Sequence, residues 1–95
     1  MHTKSIRISI LFLLLFIAGK STVRPTKHYL AHHADVPWEF VELAVMSPTR
    51  VHHNPRYGKD RYTFLRRTGK GTIEIHVKIE TDGTVWVINA FRGKP

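Results

Sequence analysis

The sequence predicts an α+β domain in which N-terminal helices pack on a small antiparallel sheet, a meander of three to four strands. Between Lys27 and Ser47, apolar residues recur at helical spacing, as Val41, Ala44 and Val45 do. After Asp60, apolar and polar residues alternate with the period of two that strands show. The glycine-containing turns TGKG and TDG separate the alternating segments, as they do in hairpins.

Residues 1–21 have the features of a secretory leader. Lys4 and Arg7 give a basic start, and an uncharged apolar run of 12 residues follows from Ile8 to Gly19. As a helix, that run is about 18 Å long, against a hydrocarbon core of about 30 Å. We therefore expect a signal peptide that is cleaved after Ser21, and a secreted or periplasmic protein. An uncleaved leader that anchors the domain at a membrane is the alternative.

The remaining segment, residues 22–95, is long enough for a single small domain. Three of the 15 basic residues lie in the leader, so 12 remain against 7 acidic residues, and the domain is cationic without it. A cationic surface suits phosphate backbones or anionic membranes. The chain has no cysteine, which excludes thiol enzymes and cysteine zinc sites.

The helical region follows a polar lead-in at Thr22–Thr26. A first helix is predicted at Lys27–Ala34. A second is predicted to begin with Asp35 as its cap and Pro37 in its first turn. It should end at Ser47, because the proline that follows disfavours helical geometry in the residue before it.

The rest of the chain predicts a loop and then strands. Asn-Pro and Tyr-Gly pairs indicate a loop after the second helix, with Arg50 and Val51 forming a brief strand. RYTFLRR, TIEIHVKIE and TVWVINAF follow as three strands. The middle one places isoleucine and valine on one face and Glu74, His76 and Lys78 on the other. The last is apolar on both faces except at Asn89, so we expect it to be the central strand.

Seven histidines raise the question of a metal site. His28 and His32 lie four residues apart, which places them on one face of a helix at a spacing that zinc ligands use. His33 lies about 140° from His28 around an ideal helix, so this pair should not share a ligand face. Catalytic zinc needs a third protein ligand. The candidates for it are His52, His53 and His76, of which the first two are expected to be solvated loop residues.

The polar face of the sheet is a second candidate site. His76 and Lys78 point the same way, and a neighbouring strand can bring Arg61 or Arg67 beside them. One interpretation is an ordinary solvated sheet face. The other is an anion site, because clustered cations near an imidazole are destabilising unless an anion shares the site.

Asn89 is the third feature, because a buried amide needs hydrogen-bond partners. It is either a core residue tied to a neighbouring loop or a donor to a bound phosphate or substrate amide. Arg92, just beyond the predicted strand end, could bind the same anion. Tyr57 and Lys59 add one aromatic and one basic group nearby.

Three segments together resemble a known family. HYLAHHADVPWEFVELAVMSPTRV, RYTFLRR and IEIHVKIETDGTVWVINAF follow one another from His28 to Phe91. They resemble the small nuclease toxins of the Barnase, EndoU, colicin and RelE class (the BECR fold), in particular the phage- and polymorphic-toxin-associated branch. Members of that branch begin with a histidine-bearing helix reading roughly His-Ile-x-x-Arg-His. They continue with a helix closed by x-x-P and end in a strand such as VVTAF or VITAY.

The resemblance implies an exported ribonuclease-like toxin that cuts RNA without metal or other cofactor, using the 2′-hydroxyl as internal nucleophile. A cognate immunity or antitoxin protein is the implied protein partner. The implied catalytic residues are His28, His33, Arg61 and His76. The implied substrate-binding residues are Lys78 and Asn89, and the residue pattern adds Tyr57, Lys59 and Arg92 as candidates for the same role.

Two positions depart from the family pattern, and two other classes of function stay open. His32 stands where arginine is common, and Asn89 replaces the usual threonine or serine, so it can bind phosphate but cannot act as a hydroxyl. The leader is a further departure, because toxins of this branch usually form the tail of a larger protein.

The first rival is a non-catalytic basic module for an anionic partner, such as a glycan, a nucleic acid or an immunity protein. The second is a histidine-liganded zinc hydrolase.

Overall fold

The computed structural model describes residues 22–93, which form a five-stranded mixed sheet and two helices. The strands are β1 (Thr22–Pro25), β2 (Arg50–His53), β3 (Arg61–Thr68), β4 (Gly71–Ile79) and β5 (Thr84–Gly93). The helices are α1 (Lys27–His32) and α2 (Trp38–Met46), and a short 3₁₀ helix spans Pro55–Tyr57. The strand order is β1-β5-β4-β3-β2; β1 runs parallel to β5, and the other pairs are antiparallel.

The predicted fold class, N-terminal helices on a small antiparallel meander of three to four strands, is wrong. A strand, β1, comes before both helices in the chain and belongs to the sheet. The sheet has five strands, with both parallel and antiparallel pairs. Strands make up 49% of the structure, and the two helices are short. The missed element is the lead-in at Thr22–Thr26. Its first four residues pair with Thr84–Val87, and Thr26 N–H continues the pairing by donating to the carbonyl of Val87 at 3.0 Å.

Both helices are shorter than predicted. Thr26 caps α1, because its Oγ1 accepts from the N–H of Tyr29 at 3.1 Å, and the helix ends at His32 instead of Ala34. The N-cap of α2 is Pro37, so Asp35 does not cap this helix. The predicted end of α2 is confirmed, with Ser47 as its C-cap.

The sheet differs from the prediction at its far edge and its centre. The residues predicted as a brief strand and loop form β2, a full edge strand that pairs with β3 from Arg50↔Leu65 to His53↔Tyr62. The central strand is β4, and β5 lies between β4 and β1.

A bulge interrupts β5 at Ile88. His76 pairs with Asn89 and Val77 pairs with Val87, so Ile88 is an extra residue on β5. A bulge reverses the faces on which the following residues lie. As a result Ala90 is buried, whereas Asn89 is only partly buried.

The core lies between the sheet and the helices. Tyr29, Val36 and the buried residues of α2 pack on Phe64, Ile75 and their neighbours in the sheet. Residues 1–21 lie outside the described residues, and so does the predicted leader. Within residues 22–93, no helix is long and apolar enough to cross a membrane.

Candidate active site

The sheet face turned away from the helices, called the open face below, carries four of the predicted site residues: Arg61, His76, Lys78 and Asn89. Strand pairing places Thr63 opposite His76 and His76 opposite Asn89, with Arg61 opposite Lys78 one step along. Because alternate residues of a strand point the same way, Arg61 and Thr63 share their face, as do His76 and Lys78. The prediction that a neighbouring strand brings Arg61 beside Lys78 is confirmed, whereas Arg67 pairs with Thr72 at the other end of β3.

Both ring nitrogens of His76 have partners. Asn89 Nδ2 donates to Nδ1 at 3.0 Å, which leaves the ring proton on Nε2. Nε2 lies 2.6 Å from Glu74 Oε2 and donates to it. The two contacts fix both the tautomer and the orientation of the imidazole.

A cavity of about 180 Å³ opens beside His76. Four of the predicted site residues line it: Tyr57, Arg61, His76 and Asn89. Arg61 Nε is buried and has no hydrogen-bond partner among the described residues. Its nearest carboxylate oxygen, Asp60 Oδ1, is 3.7 Å away. A buried N–H that is left unpaired costs free energy, so this donor favours an acceptor in the cavity.

A second depression adjoins the first. It measures about 390 Å³, and Arg61 and Ile88 line both. Lys78 lies here, with Nζ 3.9 Å from Asp60 Oδ2. The structure therefore places Arg61 between the two depressions, with His76 in the first and Lys78 in the second.

His28 and His33 contact each other, against the expectation from an ideal helix. Their Nε2 atoms are 3.3 Å apart. The 140° separation does not apply, because α1 ends at His32 and His33 is its C-cap, with φ −130° and ψ 9°. The ring of His32 also lies against His28, with ring centres 4.8 Å apart.

Phe91 connects the histidine pair to the open face. Its ring meets that of His33 edge-on, with centres 5.0 Å apart, and that of His76 with centres 5.3 Å apart. His33 Nδ1 also donates to the carbonyl of Ala90 at 3.2 Å. The predicted catalytic histidines thus form one cluster at the junction of α1 with β4 and β5.

Arg92 is not brought to this cluster. Its guanidinium lies over the Phe40 ring at 5.7 Å, and it lines a separate cavity with α2 on the helix side of the sheet. The expectation that Arg92 and Asn89 bind one anion is therefore wrong, because the two residues are three apart in β5 and so point to opposite faces of the sheet. Lys59 is exposed, and its carbonyl accepts from His53 Nε2 at 2.8 Å.

The zinc interpretation receives no support from the geometry of the proposed ligands. His53 and His52 lie on β2, where the His53 ring packs against Tyr62. Across residues 22–93, no group of three or more histidine, aspartate or glutamate side chains is placed to hold a metal ion.

Sequence reasoning missed two residues of the cluster. The alternating pattern indicates Glu74 only as a charged residue on the polar face of a strand. Its contact with His76 follows from lying two residues before it, on the same face. Phe91 was included only in the closing strand motif. Its place between two histidines depends on the bulge, for which the sequence has no clear signal.

Comparison with known proteins finds no family model, no curated protein and no solved structure that matches the chain.

Proposed function

We propose that this chain is an exported, ribonuclease-like toxin domain that cuts RNA without metal. The observation that carries the proposal is the shared cavity of His76, Asn89 and Arg61, in which Arg61 Nε is buried and, among residues 22–93, has no hydrogen-bond partner. A proton-transfer group beside a cation that still has a hydrogen bond to donate is what phosphoryl chemistry requires. The cationic composition of the domain favours RNA as the substrate.

The reaction would proceed by internal attack. A base takes the proton of the 2′-hydroxyl, and the 2′-oxygen bonds to phosphorus and forms a phosphorane. The P–O5′ bond then breaks, and an acid protonates the departing 5′-oxygen. The products are a 2′,3′-cyclic phosphate and a 5′-hydroxyl. Each proton transfer contributes typically 10²–10⁴-fold to such a reaction.

The residues divide between proton transfer and charge. His76 and the His28–His33 pair supply imidazoles on two sides of Phe91. Arg61 and Lys78 stabilise the negative charge that develops on the phosphorane. Asn89 positions His76 and can donate to phosphate, but its amide does not transfer protons at neutral pH.

The test is an RNA cleavage assay in EDTA with residues 22–95, because the whole core lies within this segment. We expect cyclic-phosphate products, and a loss of about 10²–10⁴-fold in rate for His76→Ala. His53→Ala is the matched control and should cleave at the normal rate, since His53 lies on the edge strand and contacts Tyr62 and Lys59. Absence of cleavage, or equal rates for the two variants, would overturn the proposal.

A non-catalytic module for an anionic partner is the second candidate. It is favoured by one observation: both ring nitrogens of His76 already have protein partners. This alternative predicts RNA binding that weakens steeply with salt, as phosphate contacts do, without any product in the cleavage assay.

A further inference from the structure

We propose that His28 and His33 together bind one divalent transition-metal ion, and that this ion blocks proton transfer by the pair. The pair has the geometry of a chelate. Two nitrogens that each lie about 2.0–2.1 Å from a tetrahedral zinc ion are about 3.3 to 3.4 Å apart. The two Nε2 atoms are 3.3 Å apart.

The rings point their Nε2 atoms at each other. Their centres are 5.1 Å apart, 1.8 Å more than the two nitrogens, so both Nε2 atoms lie on the sides of the rings that face each other. An ion at the side of the N···N line can therefore reach both lone pairs with small rotations of the rings.

His33 already has the hydrogen bond that metal-binding histidines make. Its Nδ1–H donates to the carbonyl of Ala90, which leaves the lone pair on Nε2. The edge contact with Phe91 holds the same ring from the side. In the metal-free protein, His28 Nε2–H donates to this lone pair; on binding, the His28 proton moves to Nδ1 through solvent, and no net proton is lost.

The site has two protein ligands, and water completes the coordination. Imidazole ligands suit Zn²⁺, Ni²⁺ and Cu²⁺. His32 is not added as a third ligand, because no group of three such side chains within residues 22–93 is placed to hold a metal; the pair is His28 with His33, for which the Nε2 atoms are 3.3 Å apart. An ion on both Nε2 atoms would occupy the lone pairs that RNA cleavage needs.

Isothermal titration of the full chain, without a histidine tag and freed of metal, tests the binding. We expect about one Zn²⁺ or Ni²⁺ per chain, and affinity at least about tenfold weaker in His28→Ala and in His33→Ala. His32→Ala is the matched control and should bind normally, although its ring also contacts His28. No binding at millimolar metal, or an equal loss in all three variants, would overturn the site.

Spectroscopy of the unaltered chain removes the dependence on how well a variant folds. With one equivalent of Cu²⁺, electron paramagnetic resonance should show coupling to two imidazole nitrogens. Coupling to one nitrogen, or to three or more, contradicts the two-histidine site.

The expected inhibition of RNA cleavage rests on the proposed function, whereas the metal binding does not. If the chain cleaves RNA, Zn²⁺ should inhibit it and EDTA should restore the rate. Cleavage that zinc leaves unchanged would refute only the inhibitory role. A chain that binds zinc through these histidines but never cuts RNA would refute only the proposed function.

Discussion

The proposed RNA cleavage depends most on His76, and the tautomer of its imidazole ring can be measured directly. Asn89 donates to Nδ1 and Glu74 accepts from Nε2–H. Nitrogen-15 NMR of the neutral ring should therefore show the Nε2–H tautomer. A spectrum dominated by the Nδ1–H tautomer would mean that the amide of Asn89 does not donate to this ring.

Asn89→Asp should change that tautomer. A carboxylate accepts but cannot donate, so His76 Nδ1 must carry a proton to hydrogen-bond to it, and the Nε2–H tautomer should no longer dominate. The measurement is the same NMR experiment. Asn54→Asp is the control, since it places the same charge in the same cavity at a residue whose hydrogen bond goes to Thr63. An unchanged Nε2–H tautomer in Asn89→Asp would refute the contact.

Tyr29 is a buried residue whose contribution should depend on pH. Its hydroxyl donates to the carbonyl of Val36. Desolvation in the core, and then the charge of Asp35, raise the pKa of the Tyr29 phenol. The folded protein thus holds this proton more tightly than the unfolded chain. The resulting stability is complete below the unfolded pKa of about 10 and is lost as pH rises through the folded value.

Tyr29→Phe should therefore lower the free energy of unfolding by about 1 to 2 kcal/mol at neutral pH, because the hydrogen bond is lost. The difference in unfolding free energy between the two proteins should narrow above about pH 10, because only the unaltered protein has a phenol at position 29 to titrate. Urea denaturation at several pH values measures it. A gap that stays constant or widens in alkali would contradict the assignment.

Part of the candidate site could be predicted residue by residue, because side chains alternate between the two faces of a strand. His76 and Lys78 share a face because they are two residues apart, and β3 could be placed beside them because a tight turn joins β3 to β4. Asn89 and Arg92 could not be placed, because one extra residue in β5 reverses the faces beyond it.

Thr26 joins two elements, β1 and α1. Its Oγ1 accepts from the N–H of Tyr29 and donates to the carbonyl of Val87 at 2.7 Å. Thr26→Ala should destabilise the fold by about 1 to 2 kcal/mol, since both contacts are lost. Thr26→Ser keeps the hydroxyl and should stay within about 0.5 kcal/mol of the unaltered protein. Equal losses for both substitutions in urea denaturation would show that the hydroxyl is not the cause.

The elements that the sequence predicted best are the two hairpins. β4 alternates along its whole length, and its neighbours are joined to it by glycine-containing turns. The edge strands β1 and β2 were missed or underestimated because each has only four residues, too few to establish a period. β1 also ends in proline, which sheets tolerate at their edges. Its pairing with β5 depends on residues about sixty positions away, which no local pattern shows.

Across the whole molecule, the two faces of the sheet carry different kinds of residues. One face holds the core beneath the two helices, and the open face holds His76 with its two cations. The histidine cluster lies where α1 meets β4 and β5, so its geometry depends on the whole fold. The sequence indicated a cationic domain, but only the assembled sheet shows that Arg61 lies beside His76 and Arg67 does not.

If the open face cuts RNA at one place, two arginines on β3 should contribute very differently to the cleavage rate. Arg61 and Arg67 lie on the same face of one strand, about 20 Å apart, and each alanine substitution removes one positive charge. We compare the cleavage rates of Arg61→Ala and Arg67→Ala in EDTA at fixed salt. We expect a loss of about 10²–10³-fold for Arg61→Ala and a change below about threefold for Arg67→Ala. Equal rates for the two variants would contradict it.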